Sequence, residues 1–209
     1  MPSQETLVKN AWFTIAKRIF KSKNWDQKSV YIFKSDEKFT YNLSLYKNFG
    51  QPVYNAGLYF KYTALDLLFW EILGYPTYEQ KPFHERLSGN IPAIQPKLLA
   101  HWQTPMDSDN LHERILSIAE KVEEIVASFS SYNLETYLDF IRNQEHWDEH
   151  EAHKNTVIVG YIFMDKFEKA LEIIQDGKAK NQTGGVLGSN KTYFFDLAEA
   201  FCLSKLLMK

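Results

Sequence analysis

A ten-residue segment, KFTYNLSLYK at residues 38–47, switches the chain from helical to strand periodicity. Its apolar side chains alternate with mostly polar ones, which is the pattern of a strand with one buried face. An apolar run precedes it at 29–34, and the Ser-Asp-Glu sequence at 35–37 is suited to a turn. We therefore predict an antiparallel hairpin over residues 29–47, followed by a turn at Gly50, Gln51 and Pro52.

A helix and a further strand extend this region in both directions. Residues 4–21 carry apolar side chains at three- and four-residue spacing, which predicts an amphipathic helix. Alternation resumes at 58–63, and helical spacing follows at 65–72 until Gly74 and Pro76 end it. These patterns predict a helix packed on a small, three-stranded antiparallel sheet.

A proline-rich segment follows this first part of the chain. Five of the seven prolines fall between residues 74 and 106, and their density argues against a long regular element there. The segment keeps many apolar and aromatic residues, so we expect an ordered connection at 76–106, with a short helix near 95–102 as one alternative.

Helical spacing dominates the remainder. Apolar residues at 111, 115, 118, 122, 125 and 129 are separated alternately by four and three positions, as on a helix that packs against others. Three further helices are predicted: one begins at about residue 133, one ends at Gly177, and the last covers about 193–207. The apolar run 156–163 fits a buried helix or a buried strand, and its helical neighbours favour the helix.

The predicted fold class is therefore α+β, an N-terminal helix on a small antiparallel sheet followed by an all-helical module. The predicted division is an α/β part at 1–75, the ordered connection at 76–106 and a helical part at 107–209. One continuous domain is compatible with the same pattern. The sequence specifies no oligomeric state.

Charge is distributed unevenly along the chain. Residues 1–50 carry nine Lys and Arg against four Asp and Glu, whereas residues 107–151 carry three against twelve. Charge of this kind affects partners and association rates rather than the fold. It favours capture of a basic protein by the acidic helices and disfavours nucleic acid, which an acidic surface repels. The carboxylates predicted to form the partner-binding face are Glu113, Glu120, Glu123, Glu124, Glu135 and Asp139.

A histidine cluster offers an alternative function. On a helix, His146, His150 and His153 would share one face with Glu149 beside them, and such side chains can converge on a divalent cation. The alternative is therefore a metal-dependent hydrolase that uses residues 146–153. The same segment also fits a solvated, acid-rich hinge between helices, and the His-Glu-x-x-His pattern of zinc hydrolases is absent.

Other functional classes leave no signature in the sequence. Dinucleotide fingerprints, nucleophile elbows and paired-cysteine motifs are absent, so we predict no cofactor and no catalytic residue. The one cysteine, Cys202, lies in an apolar run and excludes an intramolecular disulfide, which suits the reducing cytoplasm. No signal-peptide pattern and no bilayer-length apolar run occur, so we expect a cytoplasmic protein without membrane contact.

The first part of the chain resembles a family of bacterial proteins of unknown function, some of them suspected toxin-immunity proteins. Its members begin with an amphipathic helix and then a hairpin whose second strand is similar to FTYNLSL at 39–45, and the resemblance spans residues 5–73. It implies a non-enzymatic, protein-binding role. Together with the uneven charge, it predicts a cytoplasmic inhibitor or immunity protein that occludes a basic toxin.

Overall fold

A computed structural model describes residues 4–28, 31–47, 53–81, 93–105 and 110–208. These residues form seven α-helices, one 3₁₀ helix and five strands, which confirms the α+β class. The helices are α1 (Gln4–Ser22), α2 (Leu65–Leu73), α3 (Leu111–Phe129), α4 (Leu134–Arg142), α5 (Glu151–Phe163), α6 (Phe167–Ala179) and α7 (Phe194–Leu207). The strands are β1 (Asp26–Lys28), β2 (Tyr31–Ser35), β3 (Phe39–Lys47), β4 (Val53–Tyr62) and β5 (Lys97–Pro105), and the 3₁₀ helix is Pro76–Gln80.

The chain folds into two compact units, each built from two separate segments. The first unit comprises Met1–Lys61 and Pro96–Ser131, and the second comprises Tyr62–Gln95 and Tyr132–Lys209. The boundaries proposed from the sequence, at residues 75 and 106, lie elsewhere. The reason is that β5 pairs with β4 and α3 packs against α1, so both elements return to the first unit.

The first unit contains a sheet with the strand order β1-β2-β3-β4-β5. The predicted hairpin is present as β2 and β3, with Ile32 opposite Leu43. Its turn is fixed by Asp36, whose Oδ1 accepts hydrogen bonds from the backbone N–H groups of Lys38 at 2.8 Å and Phe39 at 2.6 Å. The predicted turn at 50–52 lies outside the described residues.

Five strands are present where the sequence predicted three. The short β1 has only three residues, too few to show a period. The helix expected near 95–102 is wrong, because this segment is strand β5, paired antiparallel with β4 along its length. Its prolines, Pro96 and Pro105, stand just before the strand and at its end, and β5 is an edge strand, where proline is tolerated.

Helices α1 and α3 cover one face of this sheet. The Trp12 ring of α1 stacks on Tyr54 of β4, with centroids 5.4 Å apart. The Phe129 ring of α3 lies 4.8 Å from Phe60, which points to the same face because it is six residues further along β4. The predicted apolar seam of α3 is confirmed, since Ile115, Ile118 and Val122 are buried.

The second unit is helical. Helix α2 ends at Gly74, as predicted, in a left-handed conformation with φ of 74° that lets the N–H groups of Gly74 and Tyr75 bond back to the helix. The ambiguous run 156–163 is part of helix α5, which is buried on all sides from Lys154 to Ile162. None of the described helices is long and apolar enough to cross a membrane.

Candidate functional site

Three of the six predicted carboxylates lie together on the exposed side of α3. Glu113, Glu120 and Glu124 follow one another at spacings of seven and four residues, opposite the buried seam, and all three are exposed. Leu116 lies among them and is 36% exposed. None of the three carboxylates forms an ion pair with another described residue. We call Glu113, Leu116, Glu120 and Glu124 the α3 stripe.

Glu123 has a different role from its neighbours. Its Oε2 lies 2.9 Å from Nζ of Lys34 on β2, and its Oε1 accepts a hydrogen bond from the indole N–H of buried Trp25. The Lys34 ammonium also lies over the Trp25 ring, 6.0 Å from its centroid. Glu123 therefore ties α3 to strand β2 and to Trp25, and its charge is already paired within the unit.

The remaining two carboxylates lie on α4, in the second unit. Glu135 pairs with Lys166, and this hydrogen bond lowers the pKa of the Glu135 carboxyl below its usual value. Asp139 is exposed one helical turn further along, and it borders a small depression that also contains Arg142 and Lys169. The surroundings of these two residues are thus of mixed charge, unlike the α3 stripe.

Folding redistributes the charge that the sequence shows. The acidic helix α3 belongs to the same unit as the basic N-terminal region, and that unit carries 13 Lys and Arg against 10 Asp and Glu, a net charge of +3. The second unit carries 11 against 16, a net charge of −5. The α3 stripe is therefore a local acidic feature on a basic unit.

The histidine cluster does not form the arrangement that a metal site would need. His146 lies in a turn with a φ of 54°, ahead of helix α5, and its two ring nitrogens face Glu149 at 3.0 Å and Glu145 at 3.3 Å. His150 is the N-cap of α5, and only His153 lies within that helix. The three histidines therefore do not lie on one helix, because residues 143–149 form the turns that connect α4 to α5. Within the described residues, no group of three or more His, Cys, Asp or Glu could hold a metal ion.

A buried lysine organises the loop after α6. Lys154 on α5 is fully buried, and its Nζ donates hydrogen bonds to Asp176 Oδ2 and Gln182 Oε1, both at 2.8 Å. The bond from Lys154, followed by one from Lys180, lowers the pKa of the Asp176 carboxyl below its usual value. The side chain of Asn155 holds the same loop through the carbonyl of Gly184 at 2.7 Å. This cluster fastens the loop to α5 and needs no ligand to explain it.

A concave surface in the second unit lies between α2 and α7. It has a volume of about 570 Å³, and the 3₁₀ helix, the end of α5 and the start of α6 complete its wall. Its mouth exposes Leu67 and Phe163, which are 42% and 46% accessible. The charged residues around it are Glu71, Glu79, Asp165 and Lys205. We call this surface the α2–α7 groove.

This groove was not predicted from the sequence, although the sequence contains one indication of it. Leu67 is apolar but lies off the buried face of α2, which is formed by residues such as Phe69 and Trp70. An apolar side chain off the buried face indicates either chance exposure or a binding surface, and only the fold shows that Phe163, 96 positions later, lies at the same mouth.

The lone cysteine carries no reactive role. Cys202 on α7 is fully buried, and burial raises the pKa of its thiol to about 11. The nucleophilic thiolate is therefore scarce at neutral pH.

No protein-family model, curated protein or solved structure matches the chain.

Proposed function

We propose that the chain is a non-enzymatic, protein-binding protein that captures a basic protein, and that it acts as a cytoplasmic inhibitor of the immunity type. The observation that carries this proposal is the α3 stripe, in which three exposed carboxylates without an ion pair among the described residues lie beside the exposed Leu116. Its acidic side chains would cover the basic active site of a toxin and so occlude it.

The charge arrangement of the stripe supports a partner of opposite charge. Glu120 and Glu124 are one helical turn apart, and like charges at this spacing destabilise a helix by about 0.2–0.5 kcal/mol. A cationic partner would relieve this repulsion and would be attracted by the local negative charge of the stripe, although the unit as a whole is at +3. Leu116 supplies apolar area to bury at the centre of the stripe.

The proposal is tested by charge reversal with a matched control. The double variant Glu120→Lys/Glu124→Lys removes the stripe, whereas Glu168→Lys/Glu172→Lys makes the same change, at the same spacing, on exposed positions of α6 in the second unit. Partners captured from a lysate of the source organism are identified by mass spectrometry, and the binding of the purified pair is then measured at low and high salt.

We expect one basic protein at near-equal stoichiometry, lost with the α3 variant and retained by the α6 variant. Its association rate should fall as the ionic strength rises, because salt screens the steering field. Equal retention by both variants, or equal loss, would contradict a specific role for the α3 stripe.

A further inference from the structure

We propose that the α2–α7 groove binds an amphipathic helix of another protein, one whose narrow apolar edge is flanked by Lys or Arg. This site lies in the second unit and does not involve the α3 stripe, so the two proposals stand or fall separately.

The apolar part of the groove carries the first step. Leu67 on α2 and Phe163 at the end of α5 expose almost half of their surface at the mouth, while Ile162 and Phe167 are buried beneath them. Apolar side chains grouped around a concave surface are a common feature of binding sites. A volume of about 570 Å³ accommodates a few apolar side chains of a partner rather than a folded domain.

The charges around the groove select the occupant. Among the described residues of its wall, Glu71 and Asp165 place two carboxylates beside Glu79, which has a further interaction, and Lys205 supplies one ammonium. The Lys205 ammonium lies over the Phe201 ring, 5.1 Å from its centroid, a cation–π contact. With the unit as a whole at −5, the field favours a cationic segment and disfavours an anionic lipid surface or nucleic acid.

The spacing of the wall residues favours a helix as the occupant. On α2 the apolar Leu67 is followed one turn later by Glu71, and on α7 the apolar Phe201 is followed one turn later by Lys205. Both walls thus repeat an apolar and a charged residue at i and i+4. A helix with apolar anchors at three- and four-residue spacing and cations beside them presents the pattern complementary to the α2 wall, where the charged residue is an anion.

The test uses a synthetic probe, since the proposal specifies chemistry rather than a sequence. The probe is a fluorescein-labelled peptide of about four helical turns, with Leu at three- and four-residue spacing on an Ala background and Lys beside the Leu stripe. One control peptide replaces every Lys by Glu, and a second has the composition of the probe in scrambled order. Binding to the full chain is measured by fluorescence anisotropy at physiological salt.

Matched variants locate the binding. Leu67→Asp and Glu71→Lys alter the groove, whereas Leu203→Asp and Glu172→Lys alter equally exposed residues of the same unit that do not line it. Phe163→Asp is a second groove variant, used if Leu67→Asp lowers the melting temperature. We expect the Lys peptide to bind with one-to-one stoichiometry, and each groove variant to weaken it roughly tenfold or more. The two control variants should bind it as the unaltered chain does.

Three results would overturn the proposal. The first is equal binding of the Lys and Glu peptides, or of the Lys and scrambled peptides. The second is a folded Leu67→Asp or Phe163→Asp variant that binds the Lys peptide as tightly as Leu203→Asp does. The third comes from sedimentation velocity of the chain alone: a dimer that Leu67→Asp abolishes would show that a second copy, rather than a basic helix, occupies the groove.

Discussion

Six acidic residues of similar appearance in the sequence have different roles in the folded protein. The difference lies in contacts between residues far apart in the chain, such as the bonds from Glu123 to Trp25 and Lys34. Local patterns predict which side of a helix is buried, and they did so for α3. They do not show that Glu123 pairs with Lys34, which lies 89 residues earlier in the chain. From the sequence, Glu123 was therefore grouped with the exposed carboxylates of the α3 stripe.

Glu123 and Glu120 should therefore respond differently to the same change. Glu123→Lys removes a charged hydrogen-bond acceptor from Trp25 and places an ammonium beside Lys34, so we expect the free energy of unfolding to fall by about 2 kcal/mol. Glu120→Lys, on the exposed stripe, should change it by less than about 0.5 kcal/mol. Denaturant unfolding followed by tryptophan fluorescence measures both, and equal effects would contradict the internal role of Glu123.

Removing one or the other partner of the Lys154–Asp176 ion pair should change the free energy of unfolding by different amounts. Asp176→Asn leaves a fully buried ammonium with Gln182 but no carboxylate, and because the Asp176 side chain is half exposed we expect a loss of roughly 2 kcal/mol in the free energy of unfolding. Lys154→Met removes the buried charge and keeps the side-chain length, so its cost should be about 1 kcal/mol or less. Thermal and denaturant unfolding at neutral pH would distinguish them, and a larger loss for Lys154→Met would contradict the argument.

The same pair makes stability depend on pH. The folded state lowers the pKa of Asp176, chiefly through the bond from Lys154, so the stabilisation is present above the unfolded pKa of about 3.9 and is lost as pH falls through the lower folded value. Lys154→Met should therefore lose less stability than the unaltered chain between neutral pH and the acid limb. If the stability of Lys154→Met and that of the unaltered chain fell identically with pH, the ion pair would not contribute to the pH dependence.

Helices and strands differ in how well local sequence predicts them here. The helices were found because each carries its own apolar period and, as at Gly74, its own stop signal. Strand β5 was missed because its evidence lies in β4: the pairing of Trp102 with Ala56 and of His101 with Gly57 is invisible in the segment itself. Its apolar residues also happen to recur at helical spacing.

The packing of α6 on α7 gives a prediction at this scale. Gly177 lies where α6 approaches the buried ring of Phe195 so closely that an added Cβ would overlap the ring edge. Gly177→Ala gains about 1 kcal/mol of helix propensity, yet we expect a net loss of about 1–2 kcal/mol because the fixed ring makes overpacking costlier. Gln175→Ala, exposed on the same helix, is the control and should be neutral. A stabilised Gly177→Ala variant would show that the two helices can separate.

At the scale of the whole molecule, the sequence predicted the class of the fold but not the allocation of its elements. Proline density at 74–106 marked a change of direction, yet nothing in that segment shows that the chain returns to the sheet afterwards. The uneven charge was likewise correct as a property of the sequence. In the folded protein the acidic helix α3 belongs to the same unit as the basic N-terminal region. The acidic and basic segments are therefore not separated into different units.

The segments of the two units alternate along the chain, and this order has a consequence for folding during synthesis. Synthesis proceeds from the N-terminus, and domains usually fold as they emerge. Here the first unit needs the segment Pro96–Ser131, which is translated only after the opening segment of the second unit, Tyr62–Gln95. The earlier strands are therefore synthesised before β5, and the edge of β4 stays unpaired until β5 emerges. For the same reason, neither unit can be expressed alone by cutting the gene at a single point.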